Sequence, residues 1–96
     1  MTTRSMRTVA QVLADADETC NIREAASLNI GRPVGTSDEI LSYLLFTADC
    51  YMQRVESGKY RKVDEAIFYE MSATLRGFAC DLLLLGVRPA SLPWRD

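Results

Sequence analysis

The sequence contains no histidine, and this absence removes several kinds of catalytic site. A Cys-His pair or a Ser-His-Asp triad needs an imidazole to activate its nucleophile, so neither can be assembled within one copy of the chain. Zinc sites draw most of their ligands from cysteine and histidine, and Cys20, Cys50 and Cys80 form no C-x-x-C pair. We therefore expect no enzyme activity, no metal and no cofactor, and we expect reduced, buried thiols.

The chain also lacks a strong excess of charge and a long hydrophobic run. Its 11 basic and 13 acidic residues give a formal net charge of −2, which does not favour a general polyanion binder. The first seven residues are polar and no apolar stretch follows them, so no secretory signal is predicted. The apolar run Leu82–Leu85 is far too short to cross a bilayer. We expect a cytoplasmic protein.

The chain does have enough hydrophobic residues for one small core. It has 96 residues, of which 48% are hydrophobic, so we predict a single helical domain over 1–96. Residues 1–7 are predicted to be flexible. Residues 87–96, which include two prolines and the only tryptophan, are predicted to form an extended tail that docks through Trp94. A domain of this size leaves apolar helical surface uncovered, so we expect it to self-associate.

The first helix is predicted from its start signal. Thr8 and Gln11 have the spacing of a capping box, and the apolar residues that follow share one helical face as far as Cys20. Beyond Cys20 the phase of that pattern fails, while Asn21 has the chemistry of a new cap. We predict a helix over about 8–20, a kink near residue 21 and a short helix after it.

A long antiparallel hairpin is predicted for the second half of the chain. A capping pattern at Thr36 begins a helix over about 36–57, and a five-residue link from Gly58 leads to a helix over about 62–85. Gly86 can take the left-handed conformation that ends a helix, and Pro89 blocks its continuation. The predicted fold is therefore an all-α small helical bundle, in which the N-terminal helix packs on the hairpin.

A helical wheel assigns faces to the two hairpin helices. In the last helix, Ile67 and Met71 fall in the arc predicted to face the core, and Ser72 falls on the side predicted to face water. In the preceding helix, the same reasoning places Ser42 on the wet side.

Two surfaces are predicted to make contacts with other molecules. A basic cluster at the hairpin tip and a weak aromatic strip on the helix before it are predicted to bind a partner protein, although an exposed basic loop is often only solvated. The residues are Tyr43, Phe46, Arg54, Lys59, Tyr60, Arg61 and Lys62. A strip of mostly small residues on the last helix is predicted to form a homodimer interface, unless the first helix and Trp94 cover it. Its residues are Ala66, Glu70, Ala73, Gly77, Cys80 and Asp81.

Two alternatives remain open. A dimer that brings two Arg54–Lys62 clusters together would suit a nucleic-acid-binding regulator. Glu70 and Asp81 share one edge of the last helix without a basic residue one turn away, so they need outside partners such as Arg7, Arg23 or Arg54. A carboxylate-based enzyme or metal site at these two acids is the least favoured interpretation, since two carboxylates make a poor ligand set.

The sequence pattern as a whole favours binding to another protein over catalysis. We predict a non-enzymatic protein–protein interaction module, of the inhibitor or adaptor kind found among phage- and plasmid-borne modulators.

Overall fold

The computed structural model describes residues 7–91, which form four α-helices and no strand. These are α1 (Val9–Cys20), α2 (Ile22–Ile30), α3 (Ser37–Ser57) and α4 (Lys62–Leu84). The predicted all-α bundle is confirmed, and the helix bounds agree with the sequence pattern to within a residue or two. The predictions for residues 1–6 and for Trp94 lie outside the described range.

Two helices, α1 and α3, begin at the capping residues that the sequence predicts, whereas Asn21 makes no side-chain cap hydrogen bond at the start of α2. Thr8 accepts a hydrogen bond from the Gln11 amide, and the Gln11 side chain accepts one from the Thr8 amide, which completes the capping box of α1. Thr36 accepts a hydrogen bond from the Glu39 amide at the start of α3. Each bond satisfies an amide that the helix itself leaves unpaired.

Asn21 separates α1 from α2, as the break in apolar phase predicts. Its backbone is left-handed, with φ of 50° and ψ of 45°, and no other non-glycine residue of the described chain has positive φ. The Asn21 amide closes α1 by donating to the Asp17 carbonyl, while its side chain donates to Glu24 at 2.8 Å. Asparagine tolerates this conformation better than most residues, so one residue suffices to bend the chain.

The end of α4 also agrees with its prediction. Gly86 has φ of +94°, and its amide donates to the Leu83 carbonyl, while the Val87 amide donates to the Leu82 carbonyl. This is the Schellman arrangement, and it turns Val87 back into the core. The chain then reaches the start of α3, where the Ala90 amide donates to the Asp38 carbonyl at 3.3 Å.

The hairpin of α3 and α4 forms the body of the molecule. Tyr51 stacks on Phe68 with ring centroids 5.8 Å apart, and Ala48 lies opposite Ser72, so residue numbers rise on one helix as they fall on the other. The core is filled by fully buried side chains from every helix and the tail. Its largest members are Val12, Ile40, Leu41, Leu44 and Leu82.

Two serines predicted to face water are buried, and those predictions are wrong. Ser72 is 1% exposed and donates to the Ala48 carbonyl at 3.0 Å, across the contact between α4 and α3. Ser42 is fully buried and donates to the Ala90 carbonyl at 2.5 Å. Burial of a hydroxyl costs little free energy when it donates a hydrogen bond to a carbonyl. A serine can therefore lie in the contact between two helices.

The core-facing arc predicted for α4 is correspondingly shifted. Ile67 is 50% exposed and Met71 is 41% exposed, although both were assigned to the core. The residues that α4 buries are spaced alternately by three and four positions. This is the spacing of residues along one face of a helix that packs against another helix. They are Ser72, Leu75, Ala79 and Leu82.

Candidate interaction surfaces

The predicted dimer strip is exposed along the outer face of α4. Its members Ala66, Glu70, Ala73, Gly77 and Cys80, called the outer strip below, all lie at the surface. A methyl group built on Gly77 would meet no atom within 4 Å. The strip runs from Ala66 to Cys80, which are 14 positions apart, or about 21 Å at the rise of an α-helix. Within residues 7–91 nothing covers it, and its use in a dimer stays a prediction.

Asp81, the sixth residue predicted for the dimer interface, forms an ion pair within the chain. Arg7 bridges the carboxylates of Asp81 and Asp15, so it fastens the start of α1 to α4. One of the outside partners expected for these acids is therefore found. Glu70 lies eleven residues earlier, about 16 Å away along the helix axis, so the two acids do not converge on one atom. The proposed carboxylate site has no geometric support here.

The basic cluster at the hairpin tip includes an arginine that packs on aromatic rings. The Arg54 guanidinium lies over the rings of Tyr51 and Phe68, 5.2 Å and 5.3 Å from their centroids. Tyr60 packs edge-on against Phe68 at 5.0 Å and stays 42% exposed. These contacts give the tip an ordered aromatic base.

The remaining cations of the tip differ in how firmly they are held. Arg61 donates to Asp64 at 3.1 Å, whereas Lys62 approaches Glu65 only to 3.8 Å with a fully exposed side chain. Lys59 is exposed, and none of the ion pairs among residues 7–91 includes it. The tip thus presents two loosely held lysines and not a broad cationic face.

Tyr43 and Phe46, predicted to bind a partner together with the tip, lie in the first half of α3, away from the hairpin tip. Tyr43 is 7% exposed, and its hydroxyl accepts a hydrogen bond from Asn29 of α2 at 3.1 Å. Phe46 is half-buried. The structure therefore does not bring these two aromatics together with Lys59–Lys62, and their part in partner binding stays a prediction.

A groove that the sequence did not indicate runs between α2 and α4. These two helices do not touch, and α3 forms the floor between them. The groove has a volume of about 630 Å³, within the usual range for ligand pockets. Ile67 and Met71, the two apolar residues missing from the core, line it together with Tyr51.

The groove carries negative charge at its edges. Glu18 of α1 and Glu70 of α4 are its charged lining residues, and neither has an ion pair among the described residues. Cys20 also lines it, and partial burial raises the pKa of that thiol above its usual range. A raised pKa lowers the thiolate fraction at neutral pH, so Cys20 is a poor nucleophile. The prediction of buried thiols is nevertheless wrong, because Cys20 and Cys50 are only partly buried and Cys80 is exposed.

One signal in the sequence marks the side of α4 that packs on α3. Phe68, Leu75 and Leu82 repeat every seven residues, which marks the side of α4 that lies against α3. A wheel centred on that repeat places Ile67 about 80° from the centre of the contact, but it places Met71 only about 40° away, so the repeat accounts for the exposure of Ile67 and not for that of Met71. Because Ile67 and Met71 have large apolar side chains, a helical wheel includes them in the predicted core face of α4.

Two further features are absent from the part of the chain that the structure describes. No three cysteine, aspartate or glutamate side chains in 7–91 come together as a metal site would require. None of the four helices has the length and apolarity needed to span a membrane, as judged over the same residues.

Comparison of the chain with models of protein families, with curated proteins and with solved structures gives no match.

Proposed function

We propose that this protein is a non-enzymatic protein–protein interaction module that uses α4 as its contact surface. The observation that carries this proposal is the exposure of α4. The helix has 23 residues and buries four of them. Five of the seven large hydrophobic residues exposed in the described chain belong to it, and contiguous exposed apolar surface generally marks an interface. They are Val63, Ile67, Tyr69, Met71 and Leu84.

The first partner of this surface is a second copy of the chain. The outer strip is made mainly of small side chains, so another helix can approach α4 closely along it. A homodimer is the commonest closed assembly, and a strip that pairs with itself satisfies its symmetry. Outside its own helix, residues 7–91 place no atom within 4 Å of a methyl group built on Gly77, so the described part of the chain leaves this position of the strip open.

A second protein is the proposed target of the dimer, and the lysines of the hairpin tip suit an acidic surface on it. We place this action in the cytoplasm, since Cys20, Cys50 and Cys80 are all free thiols. Nothing in the geometry favours the nucleic-acid alternative, because Arg54 and Arg61 are engaged by aromatic rings and by Asp64.

The homodimer is tested by the mass of the particle in solution. Sedimentation equilibrium over a concentration series should show a single-chain mass at high dilution and twice that mass when concentrated. Ala73→Glu places a charge in the outer strip without touching the core, and it should raise the dimer dissociation constant at least about tenfold.

Ala14→Glu supplies the matched control, because Ala14 is an exposed alanine in the middle of α1. This variant should dimerise like the unmodified protein. A single-chain mass for the unmodified protein up to about 1 mM would overturn the homodimer, since contacts worth more than about 4 kcal/mol are populated at that concentration.

A further inference from the structure

The exposed face of α4 carries two available charges of opposite sign on one ridge. Lys62, Ala66 and Glu70 are spaced by four residues, so they form one of the i, i+4 rows by which helices pack. All three are exposed. Glu70 has no ion pair among the described residues. The contact between Lys62 and Glu65 is long, at 3.8 Å, and the Lys62 side chain is fully exposed while that of Glu65 is 18% exposed. Such a contact contributes little and is readily exchanged.

The spacing of these charges suits a two-fold symmetric contact. Lys62 and Glu70 lie at equal distances from Ala66, about 6 Å along the helix on either side. If two copies of α4 run antiparallel with the two-fold axis at Ala66, each Lys62 lies beside Glu70 of the other copy. Packing of two such rows is the commonest class of helix contact, and the small side chain at its centre permits it.

We propose that the homodimer forms around Ala66, with reciprocal ion pairs between Lys62 of each copy and Glu70 of the other. This inference rests on the proposed homodimer and fixes its register. Val63 and Tyr69 flank the ridge and are 58% and 60% exposed, so the contact also covers apolar surface. Charges select the register, and the flanking side chains supply burial.

Two other registers along the outer strip are poorer. An axis at Gly77 places Glu70 opposite Leu84, which leaves the carboxylate without a cation. An axis at Ala73 places Glu70 opposite Arg76, but Arg76 already donates to Asp49 of α3 at 3.0 Å. Only the axis at Ala66 pairs Glu70 with a cation that has no close partner.

Charge reversal separates this register from dimerisation in general. Lys62→Glu gives a copy with two acids on the ridge, and Glu70→Lys gives a copy with two lysines. Each variant alone should dimerise about tenfold more weakly than the unmodified protein, because two exposed ion pairs become repulsions. An equimolar mixture of the two should form heterodimers with restored affinity, and the double variant Lys62→Glu/Glu70→Lys should recover the homodimer.

The readouts are sedimentation of each single variant and native mass spectrometry of the mixture. Arg23→Glu and Glu56→Lys reverse a charge in each direction at exposed positions outside α4, and they should change neither the affinity nor the partner preference. Circular dichroism checks that every variant stays helical.

The outcomes distinguish the register from the proposed function. If the unmodified protein dimerises but the mixture shows no heterodimer preference, the register is overturned and the homodimer stands. If the unmodified protein stays monomeric, both are overturned. A dimer whose affinity is unchanged between low and high salt would also contradict the ion pairs, since exposed pairs are screened.

Discussion

The two faces of α4 differ in what they bury, although they belong to one helix with one composition. The inner face lies against α3 and ends in Leu82, which is fully buried, whereas Leu84, two residues on, is 78% exposed on the outer face. The inner face also takes in a serine, while the outer face leaves large apolar side chains in water. Position relative to a packing partner, and not hydrophobicity alone, decides which residues are covered.

The largest difference between the two faces of α4 is expected when one leucine on each face is replaced by alanine. Leu82→Ala should lower the free energy of unfolding by about 2–5 kcal/mol, because it removes buried methyl groups and leaves a cavity. Leu84→Ala should change it by less than about 0.5 kcal/mol. Urea denaturation at high dilution measures both. Equal losses would mean that Leu84 is covered in solution, and the difference between the faces would disappear.

A smaller effect is expected from adding the same side chain to neighbouring positions. Ser72→Leu should cost about 1–3 kcal/mol, because a larger group must fit against Ala48 where α3 and α4 meet. Ala73→Leu, on the outer face, should cost less than about 0.5 kcal/mol. The midpoints of thermal unfolding test the pair. A stable Ser72→Leu protein would show that the two helices have room to separate.

The smallest effect concerns two glycines near the end of α4. Gly77→Ala should stabilise the monomer by about 0.5–1 kcal/mol, since the new methyl group meets nothing and alanine favours a helix. Gly86→Ala should instead destabilise it by about 1 kcal/mol, because φ of +94° strains any side chain. The two variants should therefore shift the denaturation midpoint in opposite directions. A shift of the same sign in both would contradict the outer-face assignment of Gly77.

The sequence predicts the ends of the elements well because those signals are local. Thr8 with Gln11, Asn21, and Gly86 act through hydrogen bonds and backbone angles within a few residues, and each is found where it was expected. The faces of α3 and α4 are harder to assign. Ser42 and Ser72 are satisfied by carbonyls 48 and 24 residues away, and no local pattern shows that such acceptors are near.

The candidate surfaces also differ in whether local sequence patterns or long-range contacts determine them. The outer strip is read from spacing along one helix, and its exposure agrees with that reading. Tyr43 was grouped with Phe46 by its place on α3, but the position of α2 buries it beneath Asn29. The groove depends on two helices that do not touch, which spacing within a single helix cannot reveal.

The bend at Asn21 makes α2 a lever. One residue joins α2 to α1, and the far end of α2 lies about 13 Å away, so a rotation of about 10° at that joint would move Leu28 by roughly 2 Å. That rotation is opposed by the packing of α2 on α3, since Ile22 and Ala26 are buried and Asn29 donates to the Tyr43 hydroxyl at 3.1 Å. The groove should therefore keep one width for as long as the core is intact.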